Sequence, residues 1–317
     1  MEKINIVILD AATLGSDIDL SIFKRFGNVT VFQMTDVCEI KERTEGADVV
    51  IVNKLPINED TLDENVRLVC VTATGYDNID VEFCRKKKIA ICNVSGYSSD
   101  SVAQVTMAMA LALVNHITVF DRFVKSGEYT RSGKQNRVEP AFHEMSTLTW
   151  GIIGLGAIGR RTAQLANSMG CRVLAYKRTP DDEFECVSLD ELLSVSDIIS
   201  IHLPLTEETH HLIGRTELKK MKKTAILINV ARGAVVDEDA VANAIINGYI
   251  GGLGVDVYSC EPMSPNSPYN KLINYENVIF TPHSAWGAYE SRIRCMEEIV
   301  KNIECFLDGG ARNRVDL

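Results

Sequence analysis

The sequence predicts an α/β protein with two doubly wound parallel sheets, one in each of two domains. Three observations carry this expectation. The chain has 317 residues, more than one hydrophobic core usually organises. From Ile4 to Cys92, short β-branched runs alternate with amphipathic stretches, as strands joined by crossover helices do. The same alternation restarts at Leu148, after a long helical stretch. A chain organised this way is expected to hold its site in a cleft.

In the first half the strand candidates are Ile4–Leu9, Val29–Phe32, Val49–Val52, Leu68–Thr72 and Ile89–Cys92. Such alternation implies a parallel sheet covered on both faces. From Ser98 the run S-S-D-S-V-A-Q-V-T-M-A-M-A-L-A-L-V-N-H reads as a long apolar helix with Ser or Asp as N-cap. It is too short and too polar at its start to span a membrane, so a helix buried between two domains is expected. Asp121 to Glu144 is polar and without clear periodicity, either an arm reaching a second subunit or a surface excursion. Thr149–Ile153, Arg172–Tyr176, Ile198–His202, Ala225–Asn229, Gly252–Val257 and Val278–Thr281 read as the second sheet. The last helix, Ala288 to Leu307, follows this sheet and is placed to return to the first domain, making that domain discontinuous.

Composition narrows the function. Apolar residues make up 46% and charged residues 24%, as in ordinary globular proteins. A formal charge of −10 disfavours nucleic acid as partner, because such proteins carry a basic face that neutralises phosphates. No apolar run reaches membrane-spanning length, and the opening M-E-K-I-N-I-V-I-L-D is a strand-like run rather than a leader. The nine cysteines (Cys38, Cys70, Cys84, Cys92, Cys171, Cys186, Cys260, Cys295, Cys305) are scattered and never spaced C-x-x-C. They read as reduced thiols, with no metal site, in a cytoplasmic protein.

Thr149–Ile153 is strand-like and leads into Gly154-Leu155-Gly156-Ala157-Ile158-Gly159, with a helical stretch beginning at Arg160. A G-x-G-x-x-G set between strand and helix is the context that dinucleotide binding needs. Gly154 permits the tight turn, Gly156 lets the backbone approach a pyrophosphate, and Gly159 lets helix and strand pack closely. Backbone N–H groups at the helix start, around Ala157 and Ile158, then face the phosphates. The next strand ends in Lys177-Arg178-Thr179 instead of the acidic residue that binds the ribose of NAD. Two cations and a hydroxyl attract a 2′-phosphate, so NADP is favoured. Asp181 and Asp182 follow closely and keep NAD open.

Three later segments place reactive side chains where strands should end. They are I-L-I-N-V-A-R-G (Ile226–Gly233), G-L-G-V-D-V-Y-S-C-E-P (Gly252–Pro262) and V-I-F-T-P-H-S-A-W (Val278–Trp286). Reduction of a 2-oxo acid needs a cation for its carboxylate and carbonyl, an acid working near neutral pH, and a group that holds that acid protonated. Arg232, His283 and Glu261 supply these three.

The chain resembles the D-isomer-specific 2-hydroxyacid dehydrogenase family over essentially its whole length. The matching stretches are T-A-T-G-Y-D-N-I-D (Thr72–Asp80), G-L-G-A-I-G (Gly154–Gly159), S-D-I-I-S-I-H-L-P-L (Ser196–Leu205), I-N-V-A-R-G (Ile228–Gly233), G-L-G-V-D-V-Y-S-C-E-P (Gly252–Pro262) and T-P-H-S-A-W (Thr281–Trp286). The resemblance implies a flavodoxin-like substrate domain from residues 1–98 and 287–317 and an inserted Rossmann domain over 99–286. Hinges near Ser98–Asp100 and Trp286–Ala288, and a homodimer formed through the inserted domain and the Asp121–Glu144 region, are implied with it.

Carried over by that resemblance, Arg232 matches the substrate-binding arginine, Glu261 the carboxylate behind the acid, and His283 the acid/base. A guanidinium offers a planar donor fork to a carboxylate and a carbonyl oxygen. A charged imidazole protonates that oxygen as hydride arrives at carbon 2, and Glu261 would stabilise the imidazolium. Backbone N–H groups around Thr74 and Gly75 are the expected second hold on the substrate carboxylate. Asp256 matches a position near the nicotinamide carboxamide. Asn229, Val230 and Ala231, with His202, Leu203, Pro204 and Thr209, match segments lining the cofactor. Lys54 and Trp286 match positions facing the substrate in hydroxypyruvate- and glycerate-type members, although Lys54 reads equally well as an exposed loop lysine.

The expected function is thus an NADP-preferring reductase of a small, polar 2-oxo acid such as hydroxypyruvate or glyoxylate. A D-lactate-type or larger 2-oxo acid stays open, because loop conformation sets the pocket. The reading from another class is a dinucleotide-sensing, corepressor-like protein, disfavoured because no Pro-rich or disordered extension occurs at either end.

Overall fold

The computed structural model describes residues 3–317. They form two compact units: the segment ending at Ser98 together with Gly287–Leu317, and Ser99–Trp286.

In the first unit, β1 (Ile4–Ile8), β2 (Gly27–Val31), β3 (Val49–Val52), β4 (Leu68–Val71) and β5 (Ala90–Cys92) form a parallel five-stranded sheet in the order β2-β1-β3-β4-β5. This is the flavodoxin-like order, whose direction of winding reverses between β1 and β3. Every residue of β3 (Val-Val-Ile-Val) and β4 (Leu-Val-Cys-Val) is buried, as strands covered on both faces require. Each such buried side chain contributes about 1.5–3 kcal/mol. Two short helices lie in the connections, α1 (Ile40–Thr44) and α2 (Val81–Lys87). The carboxylate of Asp80 starts α2 by accepting from Phe83 N at 2.9 Å, and Lys88 ends it in the left-handed region.

The chain's last helix, Tyr289–Leu307, belongs to this first unit. Arg292 fixes its start, donating to Leu14 O and to the carboxylate of Asp17, each at 2.9 Å. Arg294 donates to Tyr97 O at 3.0 Å. Residues after the helix then pair with β5, where Val315 N donates to Ile91 O at 3.0 Å.

The second unit opens with α3 (Ser99–Val114), α4 (Ile117–Lys125) and α5 (Glu128–Ser132). Its sheet comprises β6 (Thr149–Ile153), β7 (Arg172–Tyr176), β8 (Glu185–Cys186), β9 (Ile198–Ile201), β10 (Ile226–Asn229), β11 (Gly252–Val255) and β12 (Val278–Phe280). All are parallel, in the order β12-β11-β10-β9-β6-β7-β8. This is the Rossmann order with one strand added, and it reverses between β6 and β9. The crossovers carry α6 (Ala157–Ser168), α7 (Leu189–Val195), α8 (Arg215–Lys220) and α9 (Glu238–Ile246). Ser188 caps α7 through Glu191 N at 3.2 Å, and Asp237 caps α9 through Ala240 N at 3.0 Å.

Three expectations change. The strands end up to two residues earlier than the apolar runs suggest, as at Val255 and Ile201, because the chain turns away while its side chains remain buried. The two-residue strand β8 is too short to read from periodicity. The Asp121–Glu144 region is partly helical, and its order comes from local aromatic contacts: Phe120 meets Phe142 edge-on at 6.4 Å, and the Arg137 guanidinium lies 4.2 Å from the Phe123 ring. Helix α3 packs on β10, β11 and α6 of the second unit. Gly254 makes this possible, since a Cβ there would lie 3.1 Å from Met109 Sδ.

Candidate active site

The glycine loop leaves β6 where the second sheet reverses direction, the place where such sheets bind ligands. Gly154 adopts φ 95°, and a Cβ on it would meet His202 O at 2.8 Å. At Gly159 a Cβ would lie 2.0 Å from Gly154 O, so only glycine lets the helix approach the strand this closely. Over Gly156 there is open space, with nothing within 4 Å of where a Cβ would stand. Helix α6 begins at Ala157, three residues before the expected start, so Ala157, Ile158 and Gly159 form its first turn. No side chain caps this N-terminus, which leaves its amides for an anion.

His202, on the segment after β9, supplies a second sign that a ligand belongs here. Trp150 Nε1 donates to Ser200 Oγ at 2.9 Å, and Ser200 Oγ in turn lies 2.9 Å from His202 Nε2. The opposite nitrogen, Nδ1, is buried without a hydrogen-bond partner. Burial pushes this imidazole down to about 3. Open space above Gly156 and an unsatisfied polar atom beside Gly154 fit a dinucleotide. The neighbouring Thr209 closes its own loop, its hydroxyl donating to Pro204 O at 2.7 Å and accepting from Thr206 N at 2.8 Å. Leu203 packs on the core below the loop.

The Lys177-Arg178-Thr179 segment does not present two unengaged cations. Lys177 Nζ lies 3.1 Å from Asp181, which is nearly buried and also paired with Arg160 of α6. Arg160 holds the Asp181 carboxyl well below the usual range. Arg178 is fully in solvent, 3.7 Å from the equally exposed Glu208, and Thr179 is exposed.

Around the reactive groups, Asn229 ends β10 with its side chain fully engaged. Its Oδ1 accepts from Ala231 N at 3.1 Å and its Nδ2 donates to Arg232 O at 2.9 Å, which folds the Val230–Arg232 turn. Arg232 is half-buried and donates to Ala231 O at 2.9 Å. The following Gly233 packs directly on the segment carrying Glu261, since a Cβ on it would lie 2.0 Å from Tyr258 C. Glu261 accepts from Tyr258 N through Oε1 at 3.1 Å and meets His283 Nδ1 through Oε2 at 2.6 Å.

Asp256, almost fully buried, organises the loop that carries His283. Its carboxylate accepts from Thr281 Oγ1 at 2.6 Å, Ser284 N at 2.8 Å and Ala285 N at 3.0 Å, while its carbonyl accepts from His283 N at 2.7 Å. These bonds hold His283 at φ 52°, a left-handed conformation uncommon for residues with a side chain. Tyr258 Oη donates to Thr281 O at 2.9 Å and so ties the Glu261 segment to the His283 loop. Burial pushes this phenol up to about 12, so it stays a donor. Sequence reasoning passed over Tyr258 and Thr281. Their only signal is adjacency to Glu261 and His283.

Among the other expected substrate residues, Trp286 is partly buried against the core of the second unit. Lys54 and the Thr74–Gly75 pair belong to the first unit, just beyond the carboxyl ends of β3 and β4. Thr74 Oγ1 donates to Val94 O at 2.9 Å, so the hydroxyl is engaged locally.

A Rossmann sheet with an uncapped glycine turn, an Arg just beyond the next-but-one strand of the sheet, β10, and a Glu–His pair defines a nicotinamide-dependent oxidoreductase. Comparison with known proteins places it further. Residues 107–285 match the family model described as "D-isomer specific 2-hydroxyacid dehydrogenase, NAD binding domain". The chain is 36% identical over 282 residues to a glycerate dehydrogenase of Methylorubrum extorquens, covering 88% of each. It is 34% identical over 322 residues to a hydroxypyruvate reductase of Blautia hydrogenotrophica, covering 98% of this chain and 99% of that protein. The structure superposes on D-lactate dehydrogenase of Aquifex aeolicus, solved with NAD and lactic acid, with a TM-score of 0.85, 31% identity and 99% of each chain covered. The chain belongs to the D-isomer-specific 2-hydroxyacid dehydrogenase family.

Proposed function

We propose that this protein reduces a small, polar 2-oxo acid of the hydroxypyruvate or glyoxylate type to its D-2-hydroxy acid, with a nicotinamide dinucleotide as reductant. The observation that carries the reading is the 2.6 Å pair of His283 Nδ1 and Glu261 Oε2, in a chain whose relatives include a glycerate dehydrogenase and a hydroxypyruvate reductase. His283 hands a proton from Nε2 to the carbonyl oxygen, and Glu261 keeps the ring oriented and stabilises its charged form. Arg232 binds the substrate carboxylate and polarises the carbonyl through its donor fork. Lys54, the amides around Thr74 and Gly75, and Trp286 complete the substrate contacts.

The turn Gly154–Gly159 holds the pyrophosphate, with His202–Pro204, Thr209, Asn229–Ala231 and Asp256 lining the rest of the cofactor. When bound, the reduced nicotinamide supplies the hydride. NADPH is the preferred form: Arg178 is exposed beside the end of β7, where its guanidinium can meet a 2′-phosphate. Asp181 favours the second reading, NADH, because it is an acidic group in this same segment and already engages Lys177.

The protein acts as a homodimer in the cytoplasm. In support, Ile117 and Val124 of α4 and Val138 and Phe142 of the segment after α5 are all more than half exposed, apolar surface suited to a second copy. The cysteines of the described residues are all free, as expected of a reducing compartment. Among the described residues no single helix is long and apolar enough to cross a membrane.

The test is oxidation of NADPH and NADH with hydroxypyruvate, glyoxylate and pyruvate in parallel. Turnover of the first two, with D-configured product, is expected. Best turnover of pyruvate would move the assignment to the D-lactate type, and inactivity on all three with both cofactors would favour dinucleotide sensing.

A further inference from the structure

In the first unit, Asp10 follows β1 at the point where the sheet reverses direction, and Asn53-Lys54-Leu55 follow the adjacent β3. Open α/β sheets bind ligands in the crevice at such a point. Asp10 is only 6% exposed, an expensive position for a carboxylate. It accepts from Asn53 N through both oxygens at 3.0 and 3.1 Å and from Lys54 N at 2.8 Å. Two successive amides thus converge on one buried carboxylate, the inverse of a backbone nest that awaits a ligand.

A second anchor acts on the same turn. Asn53 Nδ2 donates to Thr13 Oγ1 at 2.9 Å, and Thr13 Oγ1 donates to Asp10 O at 2.7 Å. The side chains of Asn53 and Asp10 are therefore both committed to the shape of the turn, and the exposed side chain it carries is Lys54. A turn needed only to connect β3 to the next segment has no use for a buried charge and a side-chain amide. One that must place an ammonium group accurately does.

We propose that Asp10, with Thr13, is a positioning residue for substrate binding: it sets the Asn53–Leu55 turn so that the Lys54 ammonium meets the anionic group of the 2-oxo acid at the carboxyl ends of β1 and β3. This rests on the function proposed above. It adds a determinant of substrate affinity whose residues all lie in the first unit.

The experiment is steady-state kinetics with hydroxypyruvate and NADPH on the full-length wild type, Asp10→Asn, Thr13→Val, Lys54→Met and the two double variants with Lys54→Met. Asparagine keeps the size of Asp10 but turns an amide toward N–H donors. KM for hydroxypyruvate is expected to rise about tenfold in Asp10→Asn and about threefold in Thr13→Val, the order of one lost charged or neutral hydrogen bond. KM for NADPH and kcat should change by less than twofold, and neither substitution should add to the effect of Lys54→Met. Unchanged KM for hydroxypyruvate, or increases that persist undiminished in the Lys54→Met background, would overturn the proposal. If Asp10→Asn does not fold, Thr13→Val decides by the same two outcomes, because its side chain is at the surface. Inactive wild type with hydroxypyruvate, glyoxylate and pyruvate is a different failure: it removes the proposed function and this inference with it.

Discussion

His283 and Glu261 stand 2.6 Å apart, Nδ1 to Oε2, on loops that follow different strands of one sheet. Neither position is left to chance. Glu261 accepts from Tyr258 N, His283 N donates to the Asp256 carbonyl, and Tyr258 Oη joins the two loops through Thr281 O. The pair engages Nδ1 and leaves Nε2 as the ring nitrogen that the proposed reaction uses.

Replacing Glu261 by Gln keeps the shape but removes the anion behind the ring. Because hydrogen bonds to charged groups contribute about 1.5–3 kcal/mol, kcat for hydroxypyruvate is expected to fall about ten- to a hundredfold. The dissociation constant for NADPH, read by fluorescence titration, should stay within about twofold of wild type. An unaltered kcat would detach Glu261 from the reaction.

Gly233→Ala probes the contact between the Arg232 turn and the Tyr258 segment. The added methyl meets Tyr258 C at 2.0 Å, and both are backbone, so the loops must separate. Overpacking of this kind costs about 1–3 kcal/mol. Activity should fall at least tenfold while far-UV circular dichroism remains that of wild type, and a fully active variant would show that the loops tolerate separation.

Nucleotide choice can be read from a ratio. Neutralising Lys177 and Arg178 together, as Lys177→Ala with Arg178→Ala, should raise KM for NADPH about tenfold more than KM for NADH. Equal changes in both would mean that these cations serve only Asp181 and Glu208, with which they pair here.

His202 predicts a pH dependence of stability. Its folded value, about 3, lies below the ordinary histidine value of 6.5, so the unfolded chain takes up a proton that the folded chain refuses. The stability linked to His202 is therefore fully present above pH 6.5 and is lost as pH falls toward 3, by up to about 1.4 kcal/mol per pH unit. In urea unfolding between pH 7 and pH 5, His202→Phe should lose less stability than wild type. Parallel slopes would show that His202 titrates alike in both states.

Much of this was legible in the sequence, for reasons that differ by residue. The β3 and β4 strands were visible as unbroken apolar runs, because strands covered on both faces have nowhere to place a polar side chain. The glycine loop was visible because Gly154 and Gly159 answer to sterics that no other residue satisfies. Arg232, Glu261 and His283 were visible as chemistry at strand ends. The helix start at Ala157 was hidden by the glycines around it, and α5 by being too short for a period to repeat. What the sequence could not disclose were the pairings made across the fold: Tyr258 with Thr281, Asp256 with the His283 loop, Lys177 with Asp181, and Asp10 with the turn at Lys54. Each depends on side chains brought together by tertiary structure, and periodicity carries no trace of them.

The central claim is that His283 delivers the proton in reduction of a 2-oxo acid. Single-turnover mixing of hydroxypyruvate with NADPH bound to His283→Ala tests it most directly. The account predicts normal NADPH affinity with a reduction rate lowered by about a hundred- to ten-thousandfold; oxidation of the bound NADPH at close to the wild-type rate would contradict it.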